Sequence, residues 1–147
     1  MKKATSVFVL ALFAWTAVAT AQAPRAVGSK PPLTDAEYEK VMKDIASTFR
    51  SLQINNKAMN HGDGEREARR LATWFQDIRA YWEARKADKA VGYAATAVKA
   101  AEDIEHSSTA MNMAVLQSAE KTLAGTCQAC HMEYRERLPD GSFRIKP

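Results

Sequence analysis

The chain has two cysteines, and both fall in Cys127-Gln128-Ala129-Cys130-His131. On a helix these positions stand at i, i+3 and i+4, so two thiols and an imidazole share one face. Four chemistries use such a set. A disulfide closing a two-residue loop constrains the unfolded chain little. A thioredoxin-like redox pair needs a strand–helix setting. A zinc site needs a fourth ligand at suitable spacing, and none is evident. Covalent haem attachment takes both thiols for the two vinyl groups of one porphyrin and directs the next imidazole at its iron; C-x-x-C-H is its signature. The spacing favours haem c, one per chain, with His131 as proximal iron ligand and the disulfide as the main rival.

Only 16 residues follow His131, and Met132, the one later methionine, adjoins it and cannot reach the opposite face. A second iron ligand must therefore come from upstream. Met42 lies on an inward-facing stripe and is the leading candidate; the bland reading is a core methionine filling a gap. Its rivals are Met59, Met111, Met113, His61 and His106. Of these, Met111 and Met113 are expected far up the haem-bearing helix, His61 in a Gly/Asp loop and His106 at a helix junction.

The elements that must position these groups read as four amphipathic helices. All five prolines lie outside residues 33–138, which are rich in helix formers. Thr34 and Glu37 form a capping box opening helix 1, whose stripe is Tyr38, Val41/Met42, Ile45, Phe49 and Leu52. Gly62-Asp63-Gly64 breaks the pattern. Helix 2 carries Ala68, Leu71, Phe75, Ile78 and Trp82. Asp88 is the expected cap of helix 3, with Val91, Ala94/Ala95, Val98, Ala101 and Ile104. Seven of the fifteen residues from Ala87 to Ala101 are alanine, so this helix approaches a neighbour closely or leaves room for something bulky. Ser107, Ser108 or Thr109 is the expected cap of helix 4, which Pro139 stops before an Asp140-Gly141 turn. No sheet is expected. Short links between single-striped helices predict an all-α antiparallel four-helix bundle over residues 33–138, with a C-terminal tail at 139–147.

Upstream, Lys2 and Lys3 precede an apolar run and Ala19-Thr20-Ala21, the pattern of a secretory signal over residues 1–21; residues 22–32 read as a flexible leader. The formal charge of 21 − 17 = +4 becomes 19 − 17 = +2 without Lys2 and Lys3 of the signal segment, which does not support nucleic-acid binding. No other apolar stretch reaches membrane length. The expectation is a soluble protein of the periplasm or another exported compartment, with no stable membrane insertion. No G-x-S-x-G, H-E-x-x-H or phosphate-binding glycine loop is present, so no enzyme activity is expected. Arg66, Arg69 and Arg70 read as a wet helix face, or as a weak docking patch for an acidic redox partner.

The motif and the helical pattern together resemble the class II c-type cytochromes, cytochrome c′ and its six-coordinate relative cytochrome c556. Cys127-Gln128-Ala129-Cys130-His131 with Tyr134-Arg135 is similar to that family's C-x-x-C-H-x-x-Y-R. Val41-Met42-Lys43-Asp44, with Ala46-Ser47 and Phe49, is similar to its distal first-helix segment. Tyr38 departs from the basic residue cytochromes c′ often carry there. The resemblance implies a left-handed bundle with haem in its core. It further implies that Met42 either binds the iron, giving a one-electron carrier with a redox partner protein, or leaves it open, giving a five-coordinate protein that binds NO or CO. Arg135 would meet a haem propionate or solvent, and Tyr134 would pack on the haem edge or the core. Homodimers are common in the family. A haem-free helical interaction bundle with a Cys127–Cys130 disulfide is the third reading.

Overall fold

A computed structural model of the chain describes residues 31–146; the expected secretory signal, and all but the last two residues of the expected leader, lie outside them. Four helices follow one another: α1 (Asp35–Lys57), α2 (His61–Ala84), α3 (Asp88–Thr109) and α4 (Met113–Tyr134). They are followed by two short strands, β1 (Arg135–Arg137) and β2 (Phe143–Ile145). Helix α1 packs on α2, α2 on α3 and α3 on α4, which makes the expected four-helix bundle. Among the described residues no helix is long and apolar enough to cross a membrane.

The α1 capping box forms as expected: Thr34 accepts from the Glu37 amide, and the Glu37 carboxylate accepts from the Thr34 amide at 2.8 Å. The three interhelical links all use one device. Each link of three residues holds one in the left-handed region, Met59 (φ 60°), Lys86 (φ 55°) and Met111 (φ 52°). The next amide then bonds back into the preceding helix, Asn60 to Asn55 O, Ala87 to Trp82 O and Asn112 to Ser107 O. This is the Schellman arrangement, which glycine usually occupies. Three expected boundaries are corrected accordingly. Gly62-Asp63-Gly64 and His61 lie in the first turn of α2, not in a loop. Asp88 is the first residue of α3, and no side chain caps that helix. Helix α3 runs on through Ser107, Ser108 and Thr109, and Asn112 caps α4 by accepting from the Val115 amide.

The glycine at position 64 is required by packing. A methyl group there would overlap the amide oxygen of Asn56 on α1. Asn56 cannot swing away, because it is 2 % exposed and donates to Glu120 Oε1 of α4 at 2.7 Å. Gly64→Ala is therefore expected to destabilise the bundle by about 1–3 kcal/mol, as overpacking of a fixed site does, read as a lowered thermal midpoint with unchanged far-ultraviolet circular dichroism.

The chain end differs from expectation. Helix α4 ends at Tyr134, before Pro139, because Arg135 turns to extended backbone (φ −116°, ψ 131°). Residues expected as a free tail fold back as β2, pairing Arg135 with Ile145, Glu136 with Arg144 and Arg137 with Phe143. Gly141, at φ +84°, makes the turn between the strands, and Ile145 packs against the core. The hairpin escapes a periodicity search because Arg-Glu-Arg has no apolar alternation.

The core follows the stripes closely on α2, where Ala68, Leu71, Phe75, Ile78 and Trp82 are all buried. On α3 the buried apolar residues are Ala90, Ala94, Ala97, Ala100, Ala101 and Ile104, joined by Ser107 and Ser108, with Val91 and Val98 half-buried. Because α3 contacts both α2 and α4, two of its faces are covered rather than the one a single stripe describes. At one end of the bundle Tyr38 stacks on Tyr81 at 4.2 Å, and Trp82 meets Tyr134 at 5.0 Å.

Candidate functional site

Helix α4 buries Leu116, Ala119 and Leu123, and the same face continues downward to Cys127 and Cys130, both half-buried with free thiols. His131 follows at the edge of that face. All three line one cavity of about 310 Å³, within the range that small-molecule sites occupy. The expected one-face arrangement of the motif is thus present.

Three other helices complete the walls. From α2 come Phe75, Ile78 and Trp82, and from α3 come Ala90, Ala94 and Ala97. The alanines help to explain why space remains here: at Ala90, Ala94 and Ala97 only methyl groups of α3 project into it, with Tyr93 its one bulky side chain in the lining. Helix α1 faces α4 across the gap and contributes Met42, Ile45, Ala46 and Phe49. Helices α1 and α4 do not pack along their length; the Asn56–Glu120 bond joins them farther up. The exposed lining residues, Ala46, Arg50 and Gln53 on α1 and His131 on α4, mark a mouth between these two helices.

Met42 therefore reaches the same cavity as Cys127, Cys130 and His131, from the facing helix and the other end of the sequence. It is half-buried and packs against the core. None of its rivals lines the cavity. Met59 and Met111 are exposed in the interhelical links, Met113 opens α4, and His106 is exposed in the last turn of α3. His61 is half-buried in the first turn of α2 rather than solvated in a loop.

The electrostatics suit neutral donors. Burial pushes the Cys127 thiol up. Burial first, then Cys127 and Glu133, push Cys130 up to about 11. Both stay protonated at neutral pH, unlike the depressed thiols of exchange catalysts. His131 is exposed on its outer side, yet desolvation against the wall, and then the Arg135 charge, hold its imidazole below its usual pKa. It is neutral at pH 7, with a lone pair on one ring nitrogen. Among the described residues no three His, Cys, Asp or Glu side chains converge as a bare metal ion would need.

Beside the motif, Glu133 pairs with Lys89 at 2.7 Å and accepts from the Tyr93 hydroxyl at 3.2 Å, tying α3 to α4 across the cysteine level. Tyr134 packs on Trp82. Arg135 is not among the cavity-lining residues; its guanidinium lies 3.4 Å from the Phe143 ring centre. Arg66 pairs with Asp63, and Arg69 bridges Glu65 and Glu105, so two members of the basic cluster are internally matched. Trp74 is half-buried beneath Arg70. Sequence reasoning missed Arg50, Gln53, Tyr93 and Thr126, which also line the cavity. The available signal was that Ala46, Arg50 and Gln53 flank the α1 stripe at helical spacing. Comparison of the chain with protein-family descriptions, with curated proteins and with solved structures returns no match.

Proposed function

We propose that this chain is an exported c-type cytochrome of the class II kind, carrying one electron at a time on a single covalent haem. Cys127 and Cys130 would hold the macrocycle, with His131 and Met42 as the two iron ligands. One observation carries the reading: a thioether on α1 faces the two thiols and the imidazole of α4 across a single, mostly apolar cavity. The donor set fits the group, since two protonated thiols one helical turn apart match two vinyl positions and the adjacent neutral imidazole matches an axial site. The signal-like pattern of residues 1–21 supports export, where covalent attachment retains a cofactor that would otherwise be lost by dilution.

When bound, haem supplies the one-electron couple. The chain's residues set how it works. His131 presents a neutral nitrogen on the side of the tethering sulfurs, and Met42 presents a soft sulfur from the other wall; such a pair raises the potential. Phe49, Phe75, Ile78 and Trp82 exclude water, which keeps the surroundings fixed while charge changes. The Lys89–Glu133–Tyr93 link holds α3 against α4 at the level of the cysteines.

The test is the intact mass and optical spectrum of chain exported through a periplasm with its maturation machinery. The expected mass is that of the processed chain plus one haem, with no hydrogens lost, because a thiol adds across a vinyl group without a leaving group. A colourless product two hydrogens lighter than the reduced chain would support the disulfide bundle and overturn the haem reading.

A further inference from the structure

Arg50 stands out among the groups lining the cavity. Among the described residues it is the one there with a formal charge at neutral pH, and no carboxylate lines the cavity. Among the described residues Arg50 makes no ion pair, hydrogen bond or ring contact. Other arginines behave differently: Arg66, Arg69, Arg79, Arg85 and Arg144 all meet carboxylates. Gln53, one turn on from Arg50, also lines the mouth and adds a neutral amide donor.

We infer that Arg50, seconded by Gln53, holds the carboxylate end of the cavity's ligand at the α1 side of the mouth. The inference rests on the haem reading and deepens it, because Arg50 lines the same cavity as the two thiols. A porphyrin of the haem type bears its vinyl groups on one edge and its two propionates on the opposite edge. The ring would lie between α4 and α1, with its propionate edge, opposite the tethered vinyl edge, at the mouth between these two helices that Arg50 and Gln53 line. Arg135 is engaged with Phe143 and does not line the cavity. A fork of guanidinium donors suits a carboxylate, and the apolar walls strengthen that attraction by removing water. Arg50 thereby acts as a positioning residue: it fixes which way the ring faces between His131 and Met42.

The test uses haem-loaded chain and reads the propionate bending band by resonance Raman, with haem content measured by mass on the same samples. Arg50→Gln is expected to shift this band toward its position in free, solvated haem. Arg50→Lys should retain part of the wild-type shift, since charge survives but the two-pronged geometry does not. Arg135→Gln and Arg137→Gln should leave the band where it is. A haem-loaded Arg50→Gln with the wild-type band, or a band moved only by Arg135→Gln, overturns the assignment while leaving the haem reading intact. Wild-type material with no added mass overturns both, so the two failures are told apart in one set of measurements.

Discussion

Replacing both Cys127 and Cys130 by serine is expected to remove all covalently held haem. Exported double variant should show only the mass of the processed chain, and any colour should be lost on acidic organic extraction. Serine keeps size and polarity close to cysteine while removing the sulfur that can form a thioether, so the bundle is not disturbed by the change itself. Both positions are half-buried on the cavity wall, outside the fully buried set of Leu116, Ala119 and Leu123 that anchors α4. Each single variant retains one tether. The double variant also separates the haem from the fold. Haem would fill the cavity between the helices, and emptying a buried site costs stability, so the thermal midpoint should fall as haem is lost while the helix content at low temperature persists. A double variant carrying haem that survives extraction would refute covalent attachment through these sulfurs.

Where the sequence could be read, one helix at a time was enough. The stripe of α2, the Thr34 capping box and the shared face of Cys127, Cys130 and His131 all depend on spacing within a single element, and all are found. Met42 was reachable because its stripe position places it inward without knowledge of its neighbours. The misplaced features depend on something local pattern does not carry. The links at Met59, Lys86 and Met111 use left-handed backbone without glycine, so attention passed to Gly62-Asp63-Gly64, whose Gly64 serves the close approach of Asn56 instead. Two covered faces blurred the α3 register, with Ala90 and Ala97 buried where Val91 and Val98 were expected. The final hairpin rests on pairing between Arg135–Arg137 and Phe143–Ile145, which neither segment announces alone. Arg50 belongs to the same class: an exposed arginine on α1 acquires meaning only when α4 is set opposite it.

Met42→Ala is expected to convert a six-coordinate protein into a five-coordinate one, and this single change decides between electron transfer and gas binding. In the haem-loaded variant the weak red absorption band of thioether-to-iron coordination should vanish, and carbon monoxide should bind readily to the reduced form. Removing the thioether should lower the reduction potential by on the order of 0.1 V, a modest part of the roughly 0.8 V that axial ligation spans. If Met42 is instead a packing residue, a different signature follows. Deleting a half-buried side chain would cost stability at or below the low end of the about 2–5 kcal/mol seen for buried methionine, with spectrum and potential unchanged. Stability and coordination are thus independent readouts of one substitution, and Met42→Leu sharpens the contrast by restoring apolar volume without sulfur. A ligand role requires Met42→Leu to resemble Met42→Ala in spectrum; a packing role requires it to resemble wild type in everything. Because among the described residues none of the other upstream methionines or histidines lines the cavity, no donor among them stands ready to replace the lost sulfur, and the vacated wall should remain the apolar pocket that a small neutral gas enters.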